Sequence, residues 1–291
     1  MIRIPLFASI LLILVSCGSS NTDPGKSVIT VSIPPYKYFI EKIAGDDFKV
    51  NVMVPAGANP HIYEPYPEQI AGLSKSVAYV SNGFLGFEMT WLDRFYEVNN
   101  KMAKISLGDS INPLESDHHH EGAHTEAADP HYWVSPACAH IMARNLKNFL
   151  INLNVSRRDY YEVNYMKLDS IITSVDKKAA GLFSEYRKGS FMIYHPNLGY
   201  LARDYGLEEI SVEYEGKEPP PSRMKYLIDR ARKENLKVIF VQKEYDIKNA
   251  KAIADEIGAE IIIIDPLSEN WERSTVDIIN SVYKSLTESK R

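Results

Sequence analysis

Short apolar runs alternate with amphipathic segments along most of the chain. In the first half, the strands that such runs predict are residues 28–33, 49–54, 77–81 and 104–107. The alternation returns in the second half, where the predicted strands are residues 190–194, 209–212, 237–242 and 260–264. The last of these is rich in isoleucine, which is typical of a strand buried on both faces. Strands that alternate with helices form parallel sheets covered by helices, so we predict an α/β chain with such a sheet in each half.

The longest amphipathic segment lies between the two halves and predicts a helix over residues 157–187. Its apolar stripe steps by three and four residues and comprises Tyr161, Tyr165, Leu168, Ile172, Val175, Ala179, Leu182 and Tyr186. Ser156 and Asp159 have the spacing of a capping box at its start. About 30 residues would span roughly 45 Å. A coiled-coil dimer is one interpretation, but the strand–helix units on either side favour a rod that packs along both halves of a monomer.

The first residues predict a targeting segment. Arg3 precedes an apolar run that is shorter than the roughly 20 residues a membrane-spanning helix needs. The run ends with small residues before Cys17, which resembles the lipobox of bacterial lipoproteins. We therefore expect residues 1–16 to be a signal peptide and residues 17–26 to be a polar tether. We expect Cys17 to carry a lipid that anchors the protein on the periplasmic or cell-surface side of a bacterial membrane. A plain secretory signal with an incidental cysteine is the alternative.

Composition excludes some functions and constrains the fold. The chain has 291 residues, 45% of them hydrophobic, which is enough for two modest domains. Its net charge of −5 gives no indication of nucleic-acid binding. Cys138 is the second of only two cysteines, so an acylated Cys17 leaves no intrachain disulfide, and packing must stabilise the fold. We expect Cys138 to be buried in a helix.

A polar loop of about 28 residues follows the fourth predicted strand, and a loop this long needs a functional reason or is disordered. Residues 115–129 are rich in histidine and acidic residues, and the histidines are His118, His119, His120 and His124. Such a composition cannot build a core, but it can hold borderline cations loosely. We therefore predict a secondary, weak metal-binding loop. The alternative is a solvated loop with incidental histidines.

Candidate metal ligands follow four of the predicted strands, namely His61, His131, His195 and Asp265. Ligands of parallel sheets bind beyond the carboxyl ends of strands, so two facing lobes would place two of these residues on each wall of a cleft. Three imidazoles and one carboxylate suit tetrahedral zinc. A carboxylate in place of one imidazole would move the preference towards manganese. We predict one zinc ion bound by the three histidines, with Asp265 or a water as the fourth ligand.

The sequence around these residues resembles the solute-binding proteins of bacterial zinc and manganese ABC importers. The matching segments are residues 60–65, 129–136, 194–207, 215–219 and 264–267, in the family's order. The resemblance implies two (β/α)₄ lobes, at residues 27–155 and 189–291, joined by one long helix at residues 156–188. It also implies that the metal site lies in the cleft between the lobes. Zinc members have a histidine as third ligand and a His-rich acidic loop before the second, as this chain does.

The resemblance implies an exported, high-affinity binding protein that delivers zinc to the permease of an ABC importer, with manganese as the alternative cargo. It implies no enzymatic activity. A zinc hydrolase would need an open coordination position and a general base, whereas here Asp265 is available to fill the fourth position. An adhesin-like surface lipoprotein is a further alternative. The chain departs from the family at Gln242-Lys243, often Glu-Pro, and at Pro196-Asn197, often Asp-Ala, and we expect both departures to alter the cleft wall.

Overall fold

The computed structural model describes residues 25–115, 128–213 and 219–290, without the side chain of Asn249. Cys17 and the four histidines of the acidic loop therefore lie outside the described residues. Cys138 is buried, as expected. Within the described ranges, no helix combines the length and the apolar character that a membrane span requires.

Each half of the chain forms one α/β lobe. The strands of the first lobe are β1 (Ser27–Val31), β2 (Phe48–Val52), β3 (Ser76–Ser81) and β4 (Ala103–Ser106), and its helices are α1 (Pro34–Ala44), α2 (Pro67–Gly72), α3 (Gly86–Val98) and α4 (Pro136–Leu153). A long helix, α5 (Arg158–Phe183), follows. The strands of the second lobe are β5 (Ser190–Ile193), β6 (Glu208–Ser211), β7 (Val238–Gln242) and β8 (Glu260–Ile264), and its helices are α6 (Gly199–Tyr205), α7 (Pro221–Lys233), α8 (Lys248–Ile257) and α9 (Trp271–Ser289).

The two sheets share one topology. Their strand orders are β2-β1-β3-β4 and β6-β5-β7-β8, and every described strand pair is parallel. In each sheet the second strand lies on one side of the first strand, and the third and fourth strands lie on its other side. The change of side falls between β1 and β3 in one sheet and between β5 and β7 in the other. Crevices at the carboxyl ends of such sheets are where ligands bind. The predicted pair of (β/α)₄ lobes with parallel sheets is confirmed.

The strand β8 is less buried than its composition predicted. Isoleucines fill most of it, yet Ile263 is 52% exposed. The reason is its position, because β8 is an edge strand and, among the described strands, pairs only with β7. The prediction of burial on both faces was therefore wrong. An apolar run identifies a strand but does not reveal where that strand lies in the sheet order.

Helix α5 packs along both lobes, as predicted for the rod. It contacts α1 and α4 in the first lobe and α9 and α6 in the second. Its buried side chains are Tyr161, Leu168, Ile172, Val175, Ala179 and Phe183. The predicted capping box does not form, because Ser156 lies within a short 3₁₀ turn and Arg157 is the N-cap of α5. The Ser156 hydroxyl instead donates to Asn154 Oδ1. The 26 helical residues span about 39 Å.

The start of α4 fixes the residues just before it. Ser135 is the N-cap, and its Oγ accepts a hydrogen bond from the Cys138 N–H at 3.2 Å. Pro136 occupies the first helical position, where a missing N–H costs nothing. Ser135 also donates to the Asp204 carboxylate on α6 of the second lobe. The loop that carries His131 is therefore anchored to both lobes.

Candidate metal centre

Three histidine side chains meet between the lobes. The Nε2 atoms of His61 and His131 are 3.0 Å apart, those of His61 and His195 are 3.1 Å apart, and those of His131 and His195 are 3.4 Å apart. His131 and His195 are each only 3% exposed. Two of the three rings belong to the first lobe and one to the second. The structure thus brings together three of the residues that the sequence predicted as ligands.

The triangle of nitrogens has the dimensions of one face of a zinc coordination tetrahedron. At a Zn–N distance of about 2.05 Å, two ligand atoms at the tetrahedral angle lie about 3.3 Å apart. The three measured separations lie close to this value. A metal ion above this face keeps one further coordination position. The geometry therefore fits a tetrahedral cation with three imidazole ligands and a fourth ligand of another kind.

His61 lies in the loop after β2, and the backbone around it is closely packed. Its N–H donates to Asn59 Oδ1 at 2.9 Å, which turns the loop towards the cleft. Gly86 at the start of α3 lies directly against it. A Cβ at Gly86 would come within 2.7 Å of the His61 carbonyl oxygen. Any side chain at position 86 would displace the His61 backbone.

His131 is oriented by a carboxylate two residues earlier. Asp129 Oδ1 accepts hydrogen bonds from the His131 backbone N–H at 2.8 Å and from its Nδ1 at 2.7 Å. A proton on Nδ1 leaves the lone pair on Nε2, which faces the other two rings. Such a carboxylate partner fixes the ring and increases its basicity as a ligand. The Tyr200 hydroxyl donates to the Asp129 carbonyl oxygen at 2.7 Å, so the second lobe supports the same turn.

His195 follows β5 directly and is held from three sides. Its Nδ1 bonds the Glu213 carboxylate, which leaves Nε2 for the cleft. Burial raises the pKa of Glu213 to about 7. The Gln242 side chain bonds both the N–H and the carbonyl oxygen of His195. Tyr245 stacks on the imidazole with ring centroids 4.7 Å apart and an interplanar angle of 18°.

Asp265 does not join this cluster. It follows β8 as predicted, but its carboxylate faces Lys243 at 3.5 Å, and its side chain is 39% exposed. Ser274 on α9 donates to the Asp265 carbonyl oxygen, which fixes the turn in this direction. Among the described residues, the acidic and histidine side chains whose ligand atoms all lie within 4.8 Å of one another are His61, His131 and His195. The expected carboxylate ligand is therefore not supplied by Asp265 in this structure.

A small cavity of about 10 Å³ lies against the three histidines. Other polar residues in its wall are Asn197, Gln242, Glu244 and Tyr245. The sequence-based prediction placed Gln242 in the cleft wall but missed Glu213 and Glu244 as site residues. A signal was available for both, because Glu213 follows β6 by two residues and Glu244 follows β7 by two residues. The rule that selected the histidines applies equally to them.

Three imidazoles that reach one small cavity from two lobes provide a place for a single metal ion between those lobes. The fold and this site together define a two-lobed metal-binding protein. The family model described as zinc-uptake complex component A periplasmic, ZnuA, matches residues 29–289. The chain therefore belongs to the ZnuA family.

Individual relatives agree with this assignment. The high-affinity zinc uptake system protein ZnuA of Bacillus subtilis (strain 168) is 26% identical over 280 residues, which cover 90% of this chain and 87% of that protein. The zinc-binding lipoprotein AdcA of Streptococcus pneumoniae (strain ATCC BAA-255 / R6) is 27% identical over 275 residues, and the match spans 54% of its length. A crystal structure of ZnuA is 37% identical, with a TM-score of 0.84 over 89% of this chain and 99% of that one.

Proposed function

We propose that this protein binds one zinc ion between its lobes, outside the cytoplasm, and delivers it to the membrane permease of an ABC-type importer. The observation that carries the proposal is the triangle of Nε2 atoms from His61, His131 and His195, with edges of 3.0–3.4 Å. Membership of the ZnuA family, a component of a zinc-uptake complex, supports the direction of transport. Zinc is thus the cargo of the protein.

Zinc fits this site better than manganese does. Imidazole nitrogen is a good ligand for zinc, whereas manganese prefers carboxylate, carbonyl and water oxygens. The compact nitrogen triangle favours four-coordinate geometry, and the carboxylates of Asp129 and Glu213 bond Nδ1 atoms on the outer side of the rings. The relatives named above are zinc proteins by their descriptions.

A transport role fits the size of the cavity. Pockets that bind small organic molecules have volumes of about 300–1,000 Å³. The cavity at the histidines measures about 10 Å³, which is on the scale of one water molecule. An ion fits such a site, whereas an ester or phosphate substrate does not. Because His61 and His131 belong to one lobe and His195 to the other, separation of the lobes would remove a ligand and release the ion.

Two further parts of this proposal concern residues outside the described ranges. Cys17 is proposed as the lipid-bearing N-terminus of the mature protein, because small residues precede it after a short apolar run. His118, His119, His120 and His124 are proposed to hold additional zinc weakly. Glu115 and Ala128, which flank that loop, form an antiparallel bridge, so the loop starts and ends beside Asp129 and His131. Mass spectrometry of the exported protein for a diacylglyceryl group on Cys17 tests the first part.

Competition calorimetry tests the proposal for the cargo. The proteins are wild type, His131→Ala and His140→Ala, each as apo-protein without its signal peptide. Each is titrated with zinc in the presence of manganese, and with manganese in the presence of zinc. His140 is the matched control, because its Nδ1 bonds Asp169 on α5, away from the cluster. We expect tight zinc binding in wild type and His140→Ala, and a loss of at least 100-fold in His131→Ala. Equal affinity in all three proteins would refute the assignment.

A further inference from the structure

Two buried oxygen atoms in the wall of the cavity have no hydrogen-bond partner within the described part of the chain. They are Glu244 Oε1 and Asn197 Oδ1. Both residues line the cavity together with His61, His131 and His195. A buried acceptor without a donor costs about 1–3 kcal/mol, and more if it is charged. Two such oxygens beside three imidazole Nε2 atoms indicate that the cavity is built for a donor or a cation.

The chain after β7 alternates between the cavity and the surface. Gln242 points inwards and bonds the backbone of His195. Lys243 points outwards and faces Asp265. Glu244 points inwards again, and Tyr245 then stacks on the His195 ring. This alternation gives the site a buried carboxylate from a residue other than Asp265, and it keeps the Asp265–Lys243 ion pair at the exposed rim.

We propose that Glu244, rather than Asp265, is the acidic residue of the zinc site, and that its Oε1 accepts a hydrogen bond from a water molecule that is the fourth zinc ligand. The inference rests on the proposed function. The nitrogen triangle leaves one tetrahedral position, and Glu244 lines the same cavity as the three histidines. Glu244 is not among the residues whose ligand atoms lie within 4.8 Å of one another, which fits contact through a water rather than direct ligation.

Asn197 lines the same cavity and shares this role. It follows β5 within the segment that leads into α6, and its Oδ1 is the second acceptor without a partner. One water ligand has two O–H groups, so it can donate to Glu244 and to Asn197 at once. Asn197 thereby gives a function to the departure from the family pattern at Pro196-Asn197.

The charge of Glu244 contributes as well. A carboxylate near the ion lowers the free energy of the bound cation, because opposite charges attract strongly in a buried site.

The test compares Glu244→Gln with Asp265→Asn, which each replace a carboxylate by an amide of equal size. Zinc affinity is measured by chelator competition, and thermal unfolding is followed with and without zinc. We expect Glu244→Gln to bind zinc roughly 10–100-fold more weakly. The apo-protein should unfold at the same temperature or higher, because the variant removes a buried carboxylate that has an unpaired oxygen. Asp265→Asn should change zinc affinity by less than about threefold, since its ion pair is exposed.

A second readout separates a role at the metal from a purely structural one. The visible absorption spectrum of the Co²⁺-loaded protein reports the number and kind of ligands, and we expect it to change in Glu244→Gln and to stay as in wild type in Asp265→Asn. Zinc affinity within threefold of wild type in Glu244→Gln, or a larger loss in Asp265→Asn, would overturn the inference while leaving the histidine site intact. If wild type itself binds no zinc, the proposed function fails instead.

Discussion

The indole N–H of Trp271 donates a hydrogen bond to the carbonyl oxygen of Trp133 across the two lobes, at 2.7 Å. The indole of Trp133 in turn donates to the Pro266 carbonyl oxygen at 2.9 Å. Both indoles are almost fully buried. Trp133 lies two residues after His131, so this pair of hydrogen bonds joins the lobes next to the metal cluster. Together with the long helix α5, it favours small tilts of the lobes over a wide hinge motion.

Replacing Trp271 with Phe should loosen this junction. The substitution leaves the buried Trp133 carbonyl oxygen without its donor, so we expect the free energy of unfolding to fall by about 1–3 kcal/mol. Zinc should dissociate faster, because separation of the lobes removes the His195 ligand. Urea unfolding and stopped-flow zinc release to a chelator measure the two effects. Trp91→Phe, on α3 within one lobe, is the control, and equal release rates in both variants would contradict the role given to the junction.

Removing the carboxylate that orients His131 should weaken zinc binding without removing a ligand. Asp129→Asn replaces the charged acceptor of the Nδ1–H hydrogen bond, and loss of such a partner costs roughly 10–100-fold in metal affinity. The chain offers a matched control in Asp169→Asn, which alters the same kind of pair with His140 at 2.6 Å. Chelator competition should show a loss only in Asp129→Asn. A similar loss in both variants would indicate a general effect of charge.

Deleting the acidic histidine loop should leave the tight site intact. Glu115 and Ala128 are already paired as an antiparallel bridge, so residues 116–127 can be replaced by a two-residue Asn-Gly turn. We expect calorimetry to keep the tight zinc phase and to lose any weaker one, and zinc capture at low concentration to become slower. A control in which the loop histidines are replaced by serine separates length from ligation. Loss of the tight phase would mean that the loop supplies a primary ligand.

Zinc binding should weaken as the solution becomes acidic. A protonated imidazole cannot ligate a metal, and free imidazole takes up its proton near pH 6.5. With more than one histidine ligand, the apparent affinity should fall more than about tenfold per pH unit below pH 6. Chelator competition between pH 5 and pH 8 measures the slope, with His140→Ala as the control. A flat profile between pH 7.5 and pH 5.5 would argue against imidazole ligands.

Much of this fold could be predicted from local sequence patterns. Apolar runs and apolar residues at helical spacing are patterns among neighbouring residues. They predicted the strands of both lobes and the long helix. The sheet order is not local, which is why residues 260–264 were expected to be buried on both faces although β8 is an edge strand. The capping box at Ser156 did not form for a local reason, since a 3₁₀ turn over residues 155–157 moves the start of α5 past Ser156.

The sequence predicted which residues follow the strands at the site, but not the direction in which each side chain points. The rule that ligands follow parallel strands selected His61, His131 and His195, and the structure gathers them. The same rule selected Asp265 and applies equally to Glu244, because it does not tell which residue after a strand faces the cleft, and long-range contacts set the turn. For Asp265 those contacts are Ser274 and Lys243. No pattern along the chain contains that information.

The position of the zinc ion tests the proposed function of this protein most directly. Crystals of the zinc-loaded protein, measured on both sides of the zinc absorption edge, give an anomalous difference map that locates zinc alone. We expect one strong peak about 2.0–2.1 Å from the Nε2 atoms of His61, His131 and His195. Weaker peaks at the loop that contains His118 would agree with the secondary binding proposed there. A strong peak elsewhere, with none at the three histidines, would contradict the central claim.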